Sequence, residues 1–133
     1  MLAVDTNVLV RFLTGDHQEQ AATAVALFTA EPIWIAKTVL LETVWVLGAA
    51  YGFEQLTIRE GLLKIISLEN VQIEDEPAVS AALALTAHGV SLADALHLSS
   101  RPAACGFVSF DRALVRRASR AGVAEVFDVS AKR

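Results

Sequence analysis

A single cysteine, Cys105, leaves no partner for an internal disulfide and cannot build a thiolate metal cage. Long apolar runs are missing too: the longest, residues 44–53, holds two glycines and falls far short of the roughly 20 residues that span a bilayer. Asp5 interrupts the N-terminus before a signal-peptide core could form, and no small-residue cleavage site follows, so the expected location is cytoplasmic, with no membrane segment. Internal repeats, low-complexity tracts and linkers are absent as well. The 133 residues therefore read as one domain, 1–133, long enough to bury most of what the unfolded chain exposes. Positive charge is scarce through residues 1–100, which hold 4 basic and 12 acidic side chains, whereas 101–133 hold 7 basic and 3 acidic. The net charge of −4 argues against general nucleic-acid affinity, but this uneven distribution leaves a local exception.

What is abundant is apolar material, 54% of the chain, with a mean hydropathy of +0.48. That is oily enough to imply a surface covered by a partner. Short continuous apolar runs at 2–4, 33–36, 71–73, 107–110 and 126–129 have the character of strands buried on both faces. Between them lie segments of helical spacing at 16–29, 38–51, 57–69, 77–88, 92–101 and 112–121, with a further helix starting at Thr6. Strand alternating with helix predicts an α/β fold: a mainly parallel sheet of about five strands, covered by helices. Gly15, Gly52, Gly89 and Gly122 fall where helices should stop, and Thr57-x-x-Glu60 has capping-box spacing.

Four acids stand out by position. Asp5 and Asp111 each end a strand-like run and begin a helix, and the edge beyond strand carboxyl ends is where open α/β sheets bind ligands. Each also has a simpler reading as a helix N-cap. Asp94 shares it, since Ser91-Leu-Ala-Asp94 is a capping box with Asp replacing Glu. Glu42 lies in the middle of an apolar helix with Thr38, Val39, Trp45 and Val46 one turn away, so no cation on its own helix can pair with it. It is expected to be buried, where an unpaired carboxylate is costly, unless it faces solvent from a narrow polar stripe with Thr38. Carboxylates that cluster repel one another, and a hard divalent cation, Mg2+ or Mn2+, relieves that cost with oxygen ligands alone. Phosphodiester hydrolysis is the chemistry such a site offers.

Asp5-Thr6-Asn7, Glu42, Ala93-Asp94-Ala-Leu96 and Ser109-Phe110-Asp111, in this order, resemble the successive motifs of the PIN-domain ribonucleases, and within them the VapC-type toxins of toxin-antitoxin pairs. The likeness covers essentially the whole chain. It implies a three-layer α/β/α sandwich with a Rossmann-like central parallel sheet, and Mg2+- or Mn2+-dependent cleavage of single-stranded regions in structured RNA, tRNA or rRNA. It further implies a homodimer neutralised by a VapB-like antitoxin. On this resemblance Asp5, Glu42, Asp94 and Asp111 form the catalytic and metal-binding quartet, with Asn7 and Ser109 as accessory polar groups. Some relatives carry another acid soon after the position of Asp111, where this chain has Arg116 and Arg117, so no metal count follows.

Arg112, Arg116, Arg117 and Arg120 recur at helical spacing beside Asp111 and would border the acidic site with cations; Arg11, Arg112 and Arg116 are the candidate RNA contacts. The apolar face of 39–53, with Trp45, Leu47, Tyr51 and Phe53, is richer than one core contact needs and is a candidate groove for an amphipathic antitoxin segment or a dimer seam. His97 and Cys105 read as packed structural residues, and Trp34 and Trp45 as packing side chains. Two rival functions share the pattern. A haloacid-dehalogenase-like phosphatase also ends its first strand on Asp, but needs a second Asp where Asn7 stands. A non-catalytic PIN-fold module would bind RNA or protein without cleaving.

Overall fold

Apolar triplets make the strands, and each parallel crossover carries helices. The computed structural model describes residues 1–131, which hold seven α-helices and five short strands. Its contacts gather into two compact units, Met1–Glu76 and Pro77–Arg133.

In the first unit, β1 (Leu2–Ala3), β2 (Ile33–Ile35) and β3 (Val71–Ile73) form a parallel sheet in that order, with Leu2 opposite Ile33 and Ile33 opposite Val71. Helices α1 (Thr6–Thr14) and α2 (Gln18–Ala30) make the first crossover, α3 (Lys37–Ala49) and α4 (Gln55–Ile66) the second. Ile33, Ile35, Leu9, Val10, Leu40 and Leu62 are fully buried here. Gly15 ends α1 at φ 65, a left-handed conformation that carries little cost only without a Cβ, and its N–H reaches back to the Arg11 carbonyl.

The second unit contains α5 (Glu76–Thr86, whose first residue belongs to the first unit), α6 (Leu92–Ser99), β4 (Phe107–Ser109), α7 (Arg112–Arg120) and β5 (Val126–Asp128), closing on a 3-10 turn, Val129–Ala131. β4 and β5 pair in parallel, Phe107 opposite Val126, with α7 as their crossover. Val79, Ala82, Leu83, Val90, Ala95, Leu98 and Ala118 are buried.

The α/β class and parallel strands are as expected. The hydrogen-bonded ladder is not: strands pair as three and two instead of as one sheet of about five. The strands are only two or three residues long and offer few N–H and C=O groups, and those of β1 go to β2, Leu2 N–H to Pro32 O and Val4 N–H to Trp34 O. The capping box expected at Thr57 is also absent, because α4 has already begun at Gln55, behind Glu54 as N-cap.

Asn70 ties the first unit together. Its side-chain amide donates to the carbonyls of Phe28 and Glu31 at the end of α2, while its own carbonyl receives Ile33 N–H at 2.8 Å. Asn70→Ala strands those two acceptors and should lower stability by about 1–3 kcal/mol. The midpoint of urea unfolding measures this, and an unchanged midpoint would show the contacts to be dispensable.

Candidate functional site

The carboxyl end of β1 feeds at once into α1, so the first N–H groups of that helix need an acceptor. Asp5 supplies it, with Oδ1 receiving Val8 N–H at 3.2 Å. The next side chain, Thr6, is buried and donates its hydroxyl to Oε1 of Glu42 in the middle of α3. Asp5 and Glu42 are thus tied, through one hydroxyl, to the same turn. Glu42 itself is exposed, which overturns the buried reading in favour of the solvent-facing one: α3 presents Leu40, Thr43 and Leu47 inward and turns residue 42 away.

Asp5 and Asn7 open onto a cavity of about 540 Å3 that is also lined by Arg11, His17, Gln20 and Thr23. His17 caps α2, its Nδ1 accepting Gln20 N–H at 3.1 Å, so in the neutral ring the proton sits on Nε2. Arg11 is held in a network of its own. Its Nε donates to Gln20 Oε1 at 2.8 Å, and its Nη1 to Asp16 Oδ1 at 3.0 Å and Tyr51 Oη at 2.9 Å. Asp16 also accepts from Tyr51 at 2.6 Å and from Thr14 at 2.8 Å. The Tyr51 hydroxyl, then that of Thr14, hold the Asp16 carboxyl below its ordinary value of 3.8; slight desolvation opposes them and the Arg11 charge assists. The positive charge of Arg11 is therefore largely answered inside the protein.

In the second unit, Asp111 caps α7, Oδ1 accepting Leu114 N–H at 3.0 Å, and its own N–H donates to Ser109 Oγ at 2.9 Å. Ser109 thus orients the backbone that carries Asp111, not the carboxylate. Asp94 is half-buried in the first turn of α6. Its N–H donates to Ser91 Oγ at 3.2 Å, and that hydroxyl donates to Asp94 Oδ2 at 3.0 Å. Of the cations, Arg112 pairs with Asp128 at 3.2 Å and Arg117 reaches the Gly89 carbonyl at 3.4 Å. Arg116 and Arg120 are exposed, with no ion pair among the described residues. Phe110, between Ser109 and Asp111, is 83% exposed.

Among the described residues, no group of three or more His, Cys, Asp or Glu side chains comes together as a cage for a metal ion. The donor chemistry nonetheless suits a hard divalent cation, because Asp5 and Glu42 offer carboxylate oxygens tied to one turn, with an amide, Asn7, next to it. Other expectations are corrected. Cys105 is exposed, not core, and so is His97; Trp45 is 69% exposed. Cys105 follows the turn at Pro102, and no helix or strand covers it. Ser91 caps α6 as its capping box predicts, but the role of Thr6 was not read from sequence, since a hydrogen bond between residues 36 apart leaves no local pattern.

Compared with models of known families, residues 2–120 match the family described as PIN domain. No curated protein matches the chain. Among the described residues no helix is long and apolar enough to cross a membrane.

The caps separate two roles of the same acids. Asp111→Asn keeps an acceptor for Leu114 N–H and should leave stability nearly unchanged, whereas Asp111→Ala should cost about 1 kcal/mol; chemical denaturation of the two variants checks this. For Asp16, a lowered folded value means that its contribution to stability is present above pH 3.8 and is lost as pH falls below that value through the folded one. Tyr51→Phe removes the largest cause, so its Asp16 carboxyl, followed by NMR, should titrate closer to 3.8, and less stability should be lost below pH 3.8 than in wild type.

Proposed function

We propose, because this chain belongs to the PIN domain family, that it is a Mg2+- or Mn2+-dependent endoribonuclease acting as a toxin in the cytoplasm: it cleaves single-stranded regions of tRNA or rRNA and is neutralised by a VapB-like antitoxin. Members of this family are generally nucleases that typically use divalent metals. The observation that carries the reading is a family match running over Asp5, Glu42, Asp94 and Asp111 together. It is supported by Asp5, Asp94 and Asp111, which stand where strands or loops enter helices, and by Glu42 in mid-helix, each carboxylate already engaged by a hydrogen bond.

A divalent ion, when bound, would supply charge neutralisation at the phosphodiester. Asp5 and Glu42 in the first unit, and Asp94 and Asp111 in the second, would offer carboxylate oxygens to such an ion and would accept the proton of an attacking water. Asn7 Nδ2 is a donor beside Asp5, and Ser109 fixes the turn that carries Asp111. The cavity beside Asp5 is of nucleotide size, within the usual range of about 300–1,000 Å3 for ligand sites. Arg116 and Arg120 on α7 offer cations to phosphates, and Arg112 does so by exchanging Asp128. Arg11 shapes the cavity and contributes little net charge.

An apolar groove of about 430 Å3, lined by Phe12, Leu13, Leu47, Phe53, Ile58 and Leu68, is the proposed seat for an amphipathic segment of the antitoxin. The exposed Trp45 is the proposed contact of a homodimer.

The test is incubation of the purified chain with structured RNA and Mn2+, with the new ends mapped. Wild type should give discrete cuts in single-stranded loops. EDTA or Asp5→Asn should reduce the rate by about 100-fold or more while circular dichroism stays unchanged. Turnover of a phosphomonoester alone would point to a phosphatase, and RNA retention without any cut to a binding module; either result overturns the reading.

A further inference from the structure

Thr6 is 8% exposed and occupies the first position of α1, between Asp5 and Asn7. A hydroxyl so buried needs an acceptor, and Thr6 finds it in Glu42 Oε1. The two partners differ in stiffness. Threonine branches at Cβ and has one flexible torsion, set here by the helix that begins at it. Glutamate swings a carboxylate about three torsions, and Glu42 is exposed with no ion pair among the described residues. The backbone beneath Glu42 is fixed, since the next residue, Thr43, is fully buried and donates to the Val39 carbonyl at 2.7 Å. What remains free without Thr6 is the reach of the Glu42 side chain alone.

We propose that Thr6 is a positioning residue: its hydroxyl holds the Glu42 carboxylate against the turn that carries Asp5, so that a hard divalent cation meets oriented oxygens instead of a mobile one. This rests on the nuclease reading for the role of Glu42. Oε1 is engaged by the hydroxyl, which leaves Oε2 as the oxygen to face an ion. A group that orients a metal ligand through a hydrogen bond acts on affinity and rate without touching the substrate.

Thr6→Val keeps the shape and removes the donor, and the freed carboxylate can turn to water. Mn2+ titration followed by electron paramagnetic resonance should then show binding weakened by about tenfold, with Thr6→Ser restoring it. In a Glu42→Gln background the same Thr6→Val change should add nothing, because the two act as one unit. RNA cleavage should lose kcat with KM unchanged. The Glu42 side-chain carboxyl carbon resonance, assigned by its loss in Glu42→Gln, should move in Thr6→Val and return in Thr6→Ser.

If Thr6→Val binds Mn2+ and cleaves like wild type, the positioning role is overturned while the nuclease reading stands. If wild type cleaves no RNA but Mn2+ affinity still depends on Thr6, the nuclease reading falls and positioning stands. A wild type that binds no Mn2+ overturns positioning outright. Should Thr6→Val fail to fold, Thr6→Ala carries the same comparison.

Discussion

A helix that starts directly after a strand has N–H groups with no partner in the chain behind it, and satisfying them is the constraint around which this molecule is arranged. Asp5 does it for α1 and Asp111 for α7, each through one carboxylate oxygen. The N-cap of α3, Ala36, has no side chain able to do so, and Glu74 just past β3 takes its place, accepting Lys37 N–H at 2.9 Å. Acids therefore collect at strand ends for structural reasons before any chemistry is asked of them. The same placement suits catalysis, because a cap engages one oxygen and fixes the direction of the other.

That double use explains what could and could not be read from the sequence. The five apolar runs were legible to within a residue or so of the strands, because short buried strands leave continuous Val, Ile, Leu and Phe. Asp5 and Asp111 were legible as caps for the same reason. Glu42 was legible as an anomaly, but whether it was buried or exposed was not decided, since α3 is apolar nearly all round and its sequence does not say which side faces inward. Trp45 belongs to the same helix and the same ambiguity. Thr6 bonding Glu42, and Glu74 capping α3, join residues 36 and 37 apart in sequence, a separation that no spacing rule reaches. The division of strands into a ladder of three and a ladder of two was not legible, because apolar runs mark strands but not which of them exchange hydrogen bonds.

The charge distribution was visible only as a count. Seven basic residues beyond position 100 promised a cationic border, but folding sorts them by partner. Arg101 reaches the carbonyls of Ala124 and Glu125 and holds the loop before β5. Arg112 pairs with an Asp128 whose carboxyl sits below the ordinary range, chiefly through the Ser130 hydroxyl and N–H, with Arg112 adding to it. Arg116 and Arg120 are left for solvent or a ligand. On the acidic side, Arg11 is committed to Asp16, Gln20 and Tyr51, so this arginine fastens the end of α1 to the start of α2 instead of marking a phosphate.

Glu42 shows why such fastening matters for function. A carboxylate in mid-helix inherits its position from both ends of that helix and from what its own oxygens touch. The start of α3 is set by the sheet: Glu74 N–H bonds the Ile35 carbonyl at 2.9 Å, the Glu74 side chain caps Lys37, and Asp75, held at φ 51, binds the Lys37 ammonium at 3.0 Å. The far end is tied through Tyr51 to Asp16 and Arg11, near the end of α1. Between these anchors the Thr6 hydroxyl brings the carboxylate itself to the start of α1. Three independent links thus run from α3 and the turn after it to the segment following β3, to the turn between α1 and α2, and to the start of α1. Loosening any one of them would leave the fold standing and still displace the single oxygen pair on which an ion in this unit would depend.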